Sequence, residues 1–213
     1  MSMNIYIYPT SSTIPTCREL VDYSIDMLTQ FLSKIEINSI IFRTNKKEPS
    51  RLVFSETEHT TFKFCEHGAI CVFYHDILEI DREVLYDEVK EKNIKNPEKM
   101  IKLIDANYET GYSWCVKRTM GQPPLISLYF GFLAIAIAKV TNGIIYSDDG
   151  AWDYSCFPIV SSDFQKLYLD TEKIRDNSVK ENVSKWLSEL KKEYHDKERQ
   201  VILLETENHV NVL

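Results

Sequence analysis

Glycine is scarce in this chain, 6 residues in 213, and neither GxGxxG nor GxxxxGKS/T occurs. A phosphate-cradling loop needs glycines so that backbone N–H groups can reach the ligand, so their absence weighs against a nucleotide-loop enzyme. The five cysteines (Cys17, Cys65, Cys71, Cys115, Cys156) are odd in number, scattered, and never form a CxxC pair. Neither a disulfide framework nor a zinc knuckle follows from that spacing, and reduced thiols in a cytoplasmic protein are expected. His59, His67, His75, His195 and His209 never fall at i, i+4 on a predicted helix. Cys65 and His67 stand two apart, as two zinc ligands on a strand would, but no second pair completes a four-ligand set. The start, Met1 to Tyr8, lacks the basic residues and long apolar stretch of a secretion signal. A membrane span needs about 18 or more uninterrupted apolar residues, and no stretch reaches that length. No cofactor, metal or membrane is expected.

Charge of one sign is also short, with 25 basic against 32 acidic side chains and a net charge of −7. That balance repels nucleic-acid phosphate and favours a basic protein partner. Tyr112, Trp114, Lys117 and Arg118 interleave aromatics with cations as a nucleotide platform would, but alternation on a half-exposed strand yields the same pattern. What the chain does have is core material, 44% apolar residues with 12% aromatics, enough for one domain spanning 1–213.

Period-2 alternation from Met3 to Tyr8 predicts a strand. Thr16 followed by Glu19 predicts a capped helix with Leu20, Tyr23, Met27, Leu28 and Phe31 on its apolar side. Strands are expected at Ile37–Phe42 and Arg51–Phe54, and a hairpin at Thr61–Cys65 and Ala69–Tyr74. Asp76 to Asn107 is acidic and helix-prone, with Pro97 at a helix start. Tyr112–Lys117 reads as a strand. Leu125 to Val140, LISLYFGFLAIAIAKV, is apolar on all sides except for Ser127 and Lys139, the mark of a helix its own protein buries. Asn142-Gly143 stops it. Gly143–Tyr146 is a short strand, Thr171–Glu198 one long amphipathic helix, Val201–Leu204 a strand, and the tail after Glu205 is loose. The expected class is α+β, a mixed or antiparallel sheet packed around a buried apolar helix.

Two stretches concentrate carboxylates. Asp148, Asp149 and Asp153 follow the short strand and could ligate magnesium or serve as acid and base, with Arg118 as an anion clamp. Asp148-Asp149-Gly150 is equally a turn signal, with Trp152 as a buried anchor. The other stretch carries Asp76, Glu79, Asp81, Glu83, Asp87, Glu88 and Glu91, either a docking surface for a basic partner or a solvated helix face.

Gly121-Gln122-Pro123-Pro124, the small-residue-rich apolar helix, and Thr141-Asn142-Gly143-Ile144-Ile145-Tyr146-Ser147-Asp148-Asp149-Gly150-Ala151-Trp152 together form a longer pattern. It resembles small bacterial immunity proteins encoded beside polymorphic or contact-dependent toxins. The likeness covers roughly Tyr112 to Tyr154 and implies a cytoplasmic inhibitor that occludes the active site of a cognate toxin domain. It implies no catalytic residues and no cofactor. An enzyme acting on a small molecule at Asp148, Asp149 and Asp153 is the alternative.

Overall fold

The computed structural model describes residues 2–32, 40–44, 51–52, 54–64, 68–92, 94–148, 156–168, 170–174, 177–195 and 204–206. The strands are β1 (Ser2–Tyr8), β2 (Ile40–Thr44), β3 (His59–Phe64), β4 (Gly68–Asp76), β5 (Tyr112–Thr119), β6 (Ile144–Tyr146), β7 (Ile159–Val160) and β8 (Leu204–Thr206). The helices are α1 (Cys17–Leu32), α2 (Glu79–Glu91), α3 (Pro97–Thr110), α4 (Pro124–Val140), α5 (Ser161–Leu167) and α6 (Asn177–His195). The strands join in one sheet, ordered β7-β6-β1-β5-β4-β3-β2-β8. Its pairs are antiparallel apart from the parallel β2–β8 edge, which makes the fold a mixed-sheet α+β.

Alternation along β1 sorts the two faces. Ile5, Ile7 and their cross-strand partners Val116 and Trp114 lie on one face and are fully buried. Tyr6 and Tyr8 lie on the other, with Tyr146 opposite Tyr6. Helix α4 packs on the first face, where the Arg118 guanidinium of β5 sits 5.3 Å from the centre of the Phe130 ring. Helices α1, α5 and α6 lie against α4 in turn. The sheet therefore covers α4 on one side and other helices cover the rest.

Every residue of α4 from Leu125 to Ala138 except Ser127 is buried. Polar groups inside this shell find partners: the Ser24 hydroxyl donates to the Tyr129 oxygen at 2.9 Å. Tyr168 donates to the Ser127 carbonyl at 2.7 Å. Gly131 is required by that contact, because a Cβ there would overlap the Tyr168 ring. The helix ends where Asn142 adopts φ 50° and the Gly143 N–H returns to the Ala138 carbonyl at 2.7 Å. A Cβ on Gly143 would come 2.8 Å from the Tyr8 carbonyl oxygen, so the closing turn lies against β1.

Three expectations need correction. Of the expected strand 51–54, the described residues form no ladder: Arg51 makes an isolated bridge to Thr16, and the Leu52 N–H donates to the Pro15 carbonyl at 3.0 Å. That loop serves to bring buried Leu52 into the core, and the sheet resumes at β3. The final helix does not begin at Thr171. Thr171–Lys173 closes a separate 3-10 turn, extended Ile174 drops into the core, and α6 begins at Asn177. The last strand includes Leu204–Thr206, so Thr206 is not part of a loose tail, and the expected strand residues 201–203 lie outside the described residues. β7 and α5 had no sequence signal, being 2 and 7 residues long after the cis Phe157–Pro158 bond. The expected strand residues 37–39, the hairpin loop 65–67 and the tail from 207 lie outside the described residues.

Candidate functional site

Helix α2 lies on the sheet face opposite α4. Tyr146, on the Tyr6 face, donates from its hydroxyl to Glu88 Oε1 at 3.2 Å. Leu85 and Val89, one turn apart, supply the buried stripe of α2, and Met100 and Ile104 of α3 are likewise buried. A polar clasp joins the two helices. Arg82 Nη2 donates to Asp105 Oδ1 at 2.6 Å, and the Tyr86 hydroxyl donates to the same oxygen. The guanidinium also lies 4.9 Å from the Tyr108 ring centre. The Tyr86 hydrogen bond, then that of Arg82, holds the Asp105 carboxyl below its ordinary value of 3.8.

The acidic stretch singled out from sequence splits into two sets. Asp81 turns inward to the helix start and accepts from the Leu78 N–H at 2.8 Å. Glu88 engages Tyr146 and pairs with Lys92. Asp76 stands exposed at the end of β4, accepting from the Tyr74 hydroxyl at 2.6 Å. Burial first, then Asp76, pushes the Tyr74 phenol up to about 12. Glu79, Glu83, Asp87 and Glu91 remain, all exposed, at the helical spacing that places them on one outward side. Lys90 is the only cation of α2 on that side, and it pairs with Asp87 at 3.0 Å.

What sequence reasoning missed are the aliphatic residues among these carboxylates. Leu78 is 61% exposed, Ile80 58% and Val84 41%. Ile80, Val84, Asp87 and Glu91 follow at i, i+4, i+7 and i+11, one continuous outward stripe. A signal for them existed: Leu85 and Val89 already define the inward side, which leaves Ile80 and Val84 about a third of a turn or more away from it. An apolar strip rimmed by charge of one sign can desolvate against a protein surface of opposite sign.

The second acidic stretch is seen only in part. Ser147 donates to the Asn4 carbonyl at 2.8 Å and Asp148 is exposed, whereas Asp149, Gly150, Trp152 and Asp153 lie outside the described residues. Arg118 lies on the α4 side, over Phe130 and 2.8 Å from Met3 Sδ. The nucleotide platform is not formed, because Tyr112 and Trp114 are buried and Lys117 points to the other face. Among the described residues no group of three or more His, Cys, Asp or Glu could hold a metal ion. Nor, among them, is any helix long and apolar enough to cross a membrane. Searches against protein-family models, curated proteins and solved structures return no match to this chain.

Proposed function

We propose that this chain is an immunity-type binding protein of the bacterial cytoplasm, which neutralises a basic toxin domain by docking on it through the open face of α2. The observation that carries the reading is the exposed strip of Leu78, Ile80 and Val84 set among Glu79, Glu83, Asp87 and Glu91. Carboxylates around an apolar centre attract a basic partner and speed encounter, and the aliphatic side chains supply affinity once water leaves. The net charge of −7 adds a long-range pull of the same sign. The resemblance of roughly Tyr112 to Tyr154 to bacterial immunity proteins supports the same reading.

The test is co-expression with the toxin domain encoded beside this chain, followed by titration of the purified pair. Rescue of growth with a one-to-one complex that associates faster at low salt supports the proposal. Absence of both rescue and complex sinks it for that pair. Rescue far below toxin stoichiometry replaces it with the enzyme reading.

A further inference from the structure

A second feature lies at the far end of α2, and its charge is opposite. The α2–α3 turn, α3, the strand β7, α5 and the 3-10 turn enclose a cleft of about 380 Å³. This is within the range of small-molecule sites, roughly 300–1,000 Å³. Met100, Leu103, Ile159 and Leu167 give it an aliphatic lining. Around these stand Lys95, Lys99, Lys166 and Lys173, with Asp163 as the one carboxylate of the lining among the described residues. With Asp170 beside Lys173 counted, four ammonium groups stand against two carboxylates, a local excess of +2 among the described residues in a chain of net charge −7. Two of the four are partly neutralised, since Lys166 meets Asp163 at 3.5 Å and Lys173 meets Asp170 at 2.8 Å. Lys95 and Lys99 have no ion pair among the described residues. They flank the start of α3, where Asn96 sits at φ 58° and offers no side-chain cap to the first-turn N–H groups. Those N–H groups add positive potential at the same end of the cleft.

From this we infer that the cleft is a binding site for a small amphipathic anion, an aliphatic body carrying a carboxylate or phosphate head. The body lies on Met100, Leu103, Ile159 and Leu167, and the head meets Lys95 and Lys99 at the start of α3. A cleft with apolar walls and one sign of charge concentrates such an ion. The site is independent of the docking face on α2, so either can fail without the other.

Calorimetric titration of the full chain with decanoate, decyl phosphate, decanol and decyltrimethylammonium tests it, together with alkylation of Cys156, which lines the cleft. The expected result is saturable binding of one or both anions, at least tenfold weaker binding of decanol, and none of the cation. Which anion binds tighter identifies the head. The bound anion should slow Cys156 alkylation, read by mass spectrometry of its peptide, and leave the Cys71 rate unchanged. A Lys95→Ala, Lys99→Ala double variant, both positions being exposed, should melt at the parental temperature and bind at least tenfold more weakly. Decanol binding as tightly as decanoate, binding untouched in the double variant, or no binding of either anion at millimolar concentration would each overturn the assignment.

Discussion

Helices α4 and α2 lie on opposite faces of the same sheet, and they keep their places for different reasons. α4 presents no side to water between Leu125 and Ala138 apart from half-buried Ser127, so packing alone decides where it sits. α2 buries Leu85 and Val89, is held to α3 by the Arg82–Asp105–Tyr86 clasp, and leaves three large aliphatic residues in water. A fold gains nothing from exposing Leu78, Ile80 and Val84 together, whereas a docking surface does. Stability resides in the first helix, and the proposed docking surface lies on the second.

Substitutions should separate these roles. The largest effect is expected from Ala136→Asp in α4, which places an unpaired charge at a fully buried position and should cost about 4 kcal/mol or more. Chemical denaturation, or loss of soluble protein on expression, reads it out. Gly131→Ala is a smaller insult by volume, yet its methyl group enters the Tyr168 ring, and overpacking of this kind costs about 1–3 kcal/mol. Gly131→Ala combined with Tyr168→Leu should recover part of that loss, and a double variant no better than the single would show the clash is not the cause.

On α2 the expectation reverses. Ile80→Lys with Val84→Lys should change folding stability by no more than about 0.5 kcal/mol per site, because both side chains already face water. If the proposed function holds, the same pair should weaken binding of the toxin domain at least tenfold, about 1.4 kcal/mol, measured by titration alongside a melting curve. A melting temperature that falls in step with affinity would erase the contrast between the helices.

The smallest effect concerns pH. Asp105 titrates below its ordinary value when folded, because Tyr86 and Arg82 hydrogen-bond the carboxylate. Its contribution is therefore fully present above 3.8 and is lost as pH falls through the lower folded value. Acid unfolding curves of the parent and Asp105→Asn should differ in slope only below 3.8, in the window between that value and the lower folded one. Parallel curves would assign the clasp no share in stability.

Several elements were legible because their signal is local. Thr16 and Glu19 announce the start of α1, and the Glu19 N–H does donate to the Thr16 hydroxyl at 3.1 Å. Pro97 at the first position of α3 and Asn142-Gly143 after α4 mark their ends in the same way. Arg51–Phe54 misled because apolar residues in a loop that plugs the core share their composition with a strand. Of the site, the carboxylates were legible as composition. Their division into inward Asp81 and Glu88 and outward Glu79, Glu83, Asp87 and Glu91 was not, since it depends on which side of α2 meets α3 and the sheet.

Sequence by itself determined that α4 is apolar on all sides except for Ser127 and Lys139 and too short to span a bilayer, because run length and hydropathy are properties of a segment. It also determined the acidic balance and the α+β mixture, which follow from counting and periodicity. Tertiary structure alone decided the order of the strands, the cover over α4, and the residues α2 leaves open. It alone brought Lys95 and Lys99 together with Lys166 and Lys173 around one cleft. Residues about 70 positions apart meet only when the sheet carries β7 and α5 back beside α3, a long-range choice that no local pattern encodes.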